Sequence, residues 1–234
     1  MLAVRDLHVR FGQAHILQGV SLELGAGALA IVGRNGMGKT TLCQAVMGLV
    51  AASEGGIALE GQSLRGLAPF RIARRGVALV PQGRRTFPSL SVDEHLRLVS
   101  QGKTARWNIE RVYETFPRLA ERRRNGGTEL SGGEQQMLAI SRALLMNPKL
   151  VIMDEPSEGL APVIVEHLIT VLRALPADGM SLLLIEQNLR VATEVAGEVA
   201  IMVTGRIAAT MPAATLANDP DMQRRYLGVS AGGH

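Results

Sequence analysis

The sequence predicts an α/β fold in which a parallel sheet is covered by helices and interrupted by an inserted helical region. Apolar residues make up 47% of the 234 residues and aromatic residues only 3%, a balance that suits buried aliphatic strands flanked by helices. Short apolar segments also alternate with helical segments along most of the chain. Between about residues 83 and 147 the pattern becomes charged and helical. We therefore expect one domain spanning residues 1–234, with a helical subdomain at about 83–147.

The first part of the chain is predicted to contain strands on both sides of a glycine-rich segment. Two strands flank a turn at Gly12, and a short apolar strand ends at Gly33. Helical character follows at residues 40–49, and two further strands precede the inserted region. The predicted strands of this part are Leu2–Phe11, 17–24, Ala28–Val32, 57–59 and Val77–Val80.

The inserted region and the segments after it also carry recognisable signals. Ser91 is followed by Glu94 in the pattern of a capping box, and residues 107–116 have helical spacing up to Pro117. Strand and helix segments then alternate again. They are predicted at 150–153, 163–175, 181–185, Leu189–Val195, 199–203 and 206–210, with a helix near 222–226.

The net charge and the cysteine content are compatible with several classes of function and do not choose among them. The net charge of +4 would permit binding to nucleic acid, anionic lipid or a phosphate-rich ligand. The densest basic run, residues 122–124, lacks interleaved aromatic side chains and is expected to be a solvated helix end. The one cysteine, Cys43, is expected to pack in a helix rather than act as a nucleophile. No window reaches the ~18 apolar residues of a membrane span, and residues 1–11 carry charges, so we expect a soluble cytosolic chain.

The clearest functional motif is a phosphate-binding loop between a predicted strand and a predicted helix. Its glycines let successive backbone N–H groups point at phosphate oxygens, and the helix N-terminus favours negative charge. Lys39 is expected to reach the β- and γ-phosphates, the Thr40 hydroxyl to bind Mg²⁺, and Thr41 to contact the α-phosphate region. The loop therefore predicts a bound nucleoside triphosphate and Mg²⁺. The loop consists of Gly33, Arg34, Asn35, Gly36, Met37, Gly38, Lys39 and Thr40.

A pair of acidic residues after a buried strand indicates the reaction. A phosphate-binding loop alone fits kinases, GTPases and motor ATPases equally well. The apolar segment 150–153 leads directly to Asp154 and Glu155. Asp154 is expected to orient Mg²⁺ through its water shell, and Glu155 to accept a proton from the attacking water.

A third motif resembles the signature sequence of ABC transporter ATPases. The resemblance implies a P-loop NTPase core with an N-terminal antiparallel β subdomain and an inserted α-helical subdomain. It also implies that two such domains face each other head to tail, with ATP between the phosphate-binding loop of one and the signature of the other. Ser131 and the two glycine amides after it would form a second anion-binding helix N-terminus. The motif consists of Leu130, Ser131, Gly132, Gly133, Glu134, Gln135 and Gln136.

The resemblance also assigns roles outside these three motifs. Gln82 is similar to the family's Q-loop glutamine, which touches Mg²⁺ and the attacking water. Phe11 lies where the family stacks an aromatic ring on adenine, and a strand core residue is the alternative. Residues 157–162 resemble the D-loop, with alanine where many members carry aspartate. Gln187 stands where the family usually has histidine. Its amide can donate to a γ-phosphate oxygen but cannot be protonated, so Glu155 is assigned the base role and Gln187 a sensing role.

Within the family, the sequence is most similar to the ATPase subunit of branched-chain amino acid importers. The resemblance covers nearly the whole chain, and Gln82 in place of glutamate leaves urea and short-chain amide importers open. It implies a peripheral position on the cytoplasmic face of the membrane. The implied partners are a second ABC ATPase subunit, either a paralogue or another copy, two transmembrane permease subunits and, indirectly, a periplasmic solute-binding protein. The segments that carry this similarity are 81–87, 116–119, 157–162, 186–188 and 226–228.

Two other classes of function fit the sequence less well. An ABC protein acting on ribosomes or DNA would tolerate the basic charge. Translation factors of the family carry two cassettes in one chain, however, and DNA-repair members insert a long coiled coil, and neither pattern is present in this sequence. A nucleotide or small-molecule kinase would leave residues 130–136 unexplained. We therefore expect no nucleic-acid partner.

Overall fold

Ten strands form two sheets in the part of the chain that the computed structural model describes, residues 1–83 and 86–227. In chain order the strands are β1 (Leu2–Phe11), β2 (Ala14–Leu24), β3 (Ala28–Val32), β4 (Glu54–Leu59), β5 (Gln62–Ser63), β6 (Val77–Val80), β7 (Leu150–Asp154), β8 (Ser181–Glu186), β9 (Glu198–Val203) and β10 (Arg206–Pro212). The smaller sheet is antiparallel with the order β2-β1-β4-β5. The larger sheet has the order β10-β9-β3-β8-β7-β6 and is parallel except for β10.

Helices cover the larger sheet and fill the region between β6 and β7. They are α1 (Lys39–Val46), α2 (Pro69–Arg74), α3 (Val92–Arg97), α4 (Ile109–Thr115), α5 (Pro117–Glu121), α6 (Gly132–Leu145), α7 (Pro162–Ala174), α8 (Leu189–Val195), α9 (Ala213–Ala217) and α10 (Pro220–Leu227). Over residues 1–83 and 86–227, none of these helices is long and apolar enough to cross a membrane. The predicted α/β fold with an N-terminal antiparallel sheet is confirmed.

The two faces of the larger sheet belong to two separate cores. Successive side chains of a strand point to opposite faces, and β3 shows this directly. Ala30 and Val32 pack with helices α6, α7 and α8, whereas Leu29 and Ile31 pack with α1 and the antiparallel sheet. Cys43 of α1 is buried in this second core, as expected for a packing residue.

The inserted helices α3 to α6 share the first of these cores and are fastened to the sheet domain by a polar contact. Asp178, in the 3-10 turn Leu175–Asp178, accepts hydrogen bonds from Trp107 Nε1 at 3.0 Å and Arg111 Nη2 at 2.6 Å. The Arg111 guanidinium also lies 4.3 Å from the centre of the Trp107 ring. These contacts hold one end of the insertion against the core. That residues 83–147 act as a distinct subdomain stays a prediction.

Several predicted boundaries were wrong for local reasons. Helix α1 ends at Val46 rather than at residue 49, because Gly48 turns the chain with a φ of +71°. Asn108 caps α4 by accepting a hydrogen bond from the Arg111 N–H, so this helix starts two residues later than predicted. Pro117, expected only as a stop, is also the first residue of α5, a position where its missing N–H costs nothing.

Gly205, in the turn between β9 and β10, joins the two sheets and the glycine-rich loop. Its N–H donates to the Met37 carbonyl at 3.0 Å, and its carbonyl accepts from the Gln18 N–H at 2.9 Å. Its φ is +73°, and a Cβ at this position would lie 1.9 Å from the Ile16 carbonyl oxygen. Both the backbone conformation and the available space therefore require glycine.

We predict that Gly205→Ala destabilises the protein well beyond the cost of its positive φ. Gly61→Ala is the matched control, because Gly61 has a φ of +78° and no neighbour in the described part of the chain comes within 4 Å of a Cβ there. The control should lose about 1 kcal/mol of unfolding free energy, and Gly205→Ala about 2 kcal/mol more, since the backbone must shift. Urea unfolding measures both values. Equal losses in the two variants would show that the close approach to Ile16 is unimportant.

Candidate functional site

The glycine-rich loop at residues 33–38 connects the buried strand β3 to helix α1. Gly36 and Gly38 have φ values of +78° and +100°, and a Cβ at Gly33 would lie 2.4 Å from the Met202 carbonyl oxygen. The N-cap residue of α1 is Gly38, which has no side chain to cap the helix. The first N–H groups of the helix are thus available to an anion.

Lys39 is buried inside the curve of this loop. Only 4% of the residue is exposed, and its Nζ donates to the carbonyl of Gly33 at 2.8 Å and to that of Arg34 at 3.1 Å. Nζ also lies 3.4 Å from Glu155 Oε1. The ammonium group therefore stands between the loop backbone and the acidic pair after β7.

Glu155 is the residue on which the polar side chains of the site converge. Besides Lys39, its carboxylate accepts hydrogen bonds from Gln187 Nε2 at 2.8 Å and Gln82 Nε2 at 3.3 Å. Glu155 has a φ of +50°, which is rare for a residue other than glycine. Its N–H donates to the Ile185 carbonyl at 2.9 Å, which fixes the backbone at the end of β7 against β8. The structure thus brings together four residues that the sequence marked separately.

The two glutamines extend this network to neighbouring loops. Gln82 Nε2 also donates to Glu158 Oε2 at 2.8 Å, and Gln187 Nε2 also donates to Asn35 Oδ1. Glu158 was not predicted as a site residue, because no local pattern indicates a contact with Gln82, which lies 76 positions earlier in the chain.

Asp154 and Thr40 form an oxygen-rich pair beside Lys39. Asp154 is 3% exposed, and the Thr40 hydroxyl lies near its carboxylate. Burial raises the pKa of Asp154, although the nearby Thr40 hydroxyl opposes this shift. Asp154 Oδ1 has no hydrogen-bond partner among residues 1–83 and 86–227. A buried carboxylate oxygen without a donor, next to a hydroxyl, is a donor set that fits Mg²⁺.

The signature residues lie at the N-terminus of helix α6. Ser131 is the N-cap residue: its hydroxyl accepts from the Glu134 N–H at 3.3 Å, and Glu134 Oε2 accepts from the Ser131 N–H at 2.8 Å. Gly132 and Gly133 form the start of the helix, and Gln135 donates to the Gly127 carbonyl at 3.1 Å. Leu130 and Gln136 are largely buried.

A groove on the surface runs past this helix end. The signature residues from Ser131 to Glu134 line it together with Gly159 and Ala161 of the D-loop. No residue of the glycine-rich loop lines it. Within one chain, therefore, this groove is not shared by the signature and the phosphate-binding loop.

Phe11 is the last residue of β1 and pairs with Ala14, the first residue of β2. The alternative that it is a strand core residue is wrong, because 51% of the residue is exposed. Its ring is available to pack against a ligand.

Glu186 is a buried carboxylate that sequence reasoning did not select. Only 2% of the residue is exposed, and it accepts hydrogen bonds from the N–H groups of Ser157 and Asn188. Burial raises the pKa of Glu186, and the bonds from Ser157 and Asn188 oppose this effect. Its position at the carboxyl end of an apolar strand, as for Asp154, is a signal that could have identified it.

Comparisons with known proteins agree with this geometry. Residues 17–158 match the model of the ABC transporter family. The high-affinity branched-chain amino acid transport ATP-binding protein BraG of Pseudomonas aeruginosa is 38% identical over 97% of this chain and 100% of its own. The lipopolysaccharide export system ATP-binding protein LptB of Haemophilus influenzae is 31% identical over 97% of each chain.

A solved structure gives the same result for the fold. An ATP-binding cassette of an ABC transporter, solved in its ADP conformation, superposes with a TM-score of 0.81. The two chains are 25% identical, and the match covers 98% of this chain and 99% of the other. Family, fold and relatives thus agree that this chain binds adenine nucleotide. The chain belongs to the ABC transporter family, as an ATP-hydrolysing, ATP-binding subunit.

Proposed function

We propose that this chain is the ATPase subunit of a branched-chain amino acid importer and couples ATP binding and hydrolysis to transport. The observation that carries the hydrolytic part is the convergence of Lys39, Gln82 and Gln187 on Glu155. The full-length similarity to BraG supports the solute class. An importer of urea or short-chain amides is the second candidate, because position 82 carries glutamine rather than glutamate.

In the proposed mechanism, the loop backbone and Lys39 bind the phosphates. The contacts that Lys39 makes to the Gly33 and Arg34 carbonyls would be exchanged for contacts to phosphate oxygens. Thr40, Asp154 and Gln82 would hold Mg²⁺, which when bound neutralises charge on the phosphates. Thr41 and the remaining loop residues Asn35, Gly36, Met37 and Gly38 would complete the phosphate contacts, and Phe11 would stack on adenine.

Glu155 is positioned to accept the proton of the attacking water. Amide donors from Gln82 and Gln187 hold its carboxylate in one orientation, and a base must be oriented as well as basic. Gln187 contacts both Glu155 and the loop residue Asn35. A γ-phosphate bound at the loop would therefore shift the Gln187 amide and, with it, the orientation of the Glu155 carboxylate.

We predict that Glu155→Gln abolishes most turnover while leaving ATP binding intact. Glutamine has nearly the same shape but cannot accept the proton, so kcat should fall by about 10²–10⁴-fold. Steady-state hydrolysis and the Kd for ATP measure the two effects. Glu166→Gln is the control, since Glu166 is an exposed carboxylate on α7 paired with Arg190. Turnover of Glu155→Gln within twofold of wild type would refute the base assignment.

The signature would act on nucleotide bound by a second ATPase subunit. The groove beside Ser131, Gly132 and Gly133 is not shared with the phosphate-binding loop of the same chain. A helix N-terminus with a serine cap and glycine amides suits the γ-phosphate of a nucleotide held by a facing subunit. The facing subunit is proposed to be a paralogue, or another copy when this chain is alone.

We predict that removing either of two equivalent helix caps lowers stability, but that removing only one of them lowers ATP hydrolysis. Ser91 caps α3 with the same capping box, formed with Glu94, that Ser131 forms with Glu134. Ser91→Ala and Ser131→Ala should each lower the unfolding free energy by about 1 kcal/mol. Only Ser131→Ala should also lower ATP hydrolysis, by about tenfold, because only that cap faces a γ-phosphate. Equal activities in the two variants would count against the shared site.

The remaining partners follow from the proposed transport role. Two transmembrane permease subunits would bind this chain at the cytoplasmic face of the membrane, and a periplasmic solute-binding protein would act through them. Solute would contact those subunits and not this chain. We propose no nucleic-acid partner.

We predict that cells lacking this chain lose high-affinity uptake of leucine, isoleucine and valine. Wild-type chain should restore uptake, and Glu155→Gln, expressed to the same level, should not. Uptake of radiolabelled leucine, urea and acetamide in the same strains tests the solute class. Loss of urea or acetamide uptake with normal leucine uptake would replace the first candidate by the second. Loss of none of them would contradict both.

A further inference from the structure

Glu186 stands between two loops of the catalytic centre. It is the last residue of β8, the strand between β3 and β7 in the larger sheet. Its Oε1 accepts from the Ser157 N–H at 3.1 Å, and its Oε2 accepts from the Asn188 N–H at 3.2 Å. One carboxylate thus binds the start of the D-loop and the residue after Gln187.

These bonds close a ring that contains the proposed base. Ser157 lies two residues after Glu155, and Asn188 directly follows Gln187. The ring is completed by the 2.8 Å hydrogen bond from Gln187 to Glu155. The two loops that carry the base and the switch glutamine are therefore tied together twice, once by their own side chains and once by Glu186.

We propose that Glu186 is a positioning residue for hydrolysis, which sets the distance between Gln187 and Glu155 by holding the D-loop and the switch loop together. The proposal rests on the roles proposed above for Glu155 and Gln187. Because residues 159 and 161 of the D-loop line the signature groove, a displacement of the D-loop at that groove would be transmitted through Glu186 to Gln187.

The chemistry of the side chain explains why a carboxylate is needed. The Ser157 and Asn188 N–H groups donate to different oxygens of Glu186, and an ionised carboxylate offers only acceptors at both positions. A glutamine of the same size would keep one of these bonds and turn an N–H₂ donor toward the other N–H. Glu186→Gln therefore breaks one of the two ties with little change in volume.

A double-mutant cycle tests the proposal on the purified full-length chain. The variants are Glu186→Gln, Gln187→Ala and the pair, with Glu194→Gln as a control because Glu194 is a half-buried carboxylate on α8 that pairs with Arg190 and lies outside the ring. We expect Glu186→Gln to lower kcat about tenfold with KM for ATP within threefold. In the Gln187→Ala background it should have no further effect, because it acts through Gln187.

Each other outcome overturns one specific statement. If Gln187→Ala is slow but Glu186→Gln turns over at the wild-type rate, the positioning role of Glu186 is refuted and the role of Gln187 stands. Effects that multiply in the pair also sink it, since Glu186 would then act independently of Gln187. Wild-type turnover in Gln187→Ala instead refutes the proposed role of Gln187. If Glu186→Gln does not fold, Glu186→Asp takes its place in the cycle, and failure of both to fold overturns the proposal in favour of a purely structural role.

Discussion

The parallel alignment of β3, β7 and β8 is the constraint on which the site depends. Ile185 of β8 is paired with Asp154, and Glu186 with Val32. The loops that leave these three strands consequently begin at the same edge of the sheet, where ligands bind in open α/β folds. Backbone hydrogen bonding thus brings a glycine-rich loop, an acidic pair and a switch glutamine together, although the acidic pair follows the loop by more than 100 residues and Gln187 follows Glu155 by 32.

The buried charges at this edge of the sheet lower the stability of the fold where they are not compensated. Lys39, Asp154, Glu155 and Glu186 are all largely buried, and a buried charge is costly unless it is paired and hydrogen-bonded. Lys39 and Glu155 compensate each other, and two N–H groups compensate Glu186. Asp154 keeps an oxygen without a donor in the described part of the chain. A buried oxygen without a donor does not stabilise the fold.

The fold and the residues of the candidate site could be predicted from the sequence, whereas the contacts between those residues could not. Strands β3, β7 and β8 were found because they are short and apolar, and the loop and signature because their spacing is specific. The short helix α2 was missed, since six residues carry too little periodicity. The link from Gln82 to Glu158 and the buried environment of Glu186 depend on chain segments that meet only after folding. The functional roles of these side chains stay predictions.

The left-handed backbone of Glu155 has a consequence for engineering this protein. A glutamate in that conformation is strained by about 1 kcal/mol, and glycine would relieve the strain. The same substitution would leave the buried Lys39 ammonium without its carboxylate partner, and breaking a buried ion pair costs more than the strain that is relieved. Libraries aimed at robustness should hold position 155 constant.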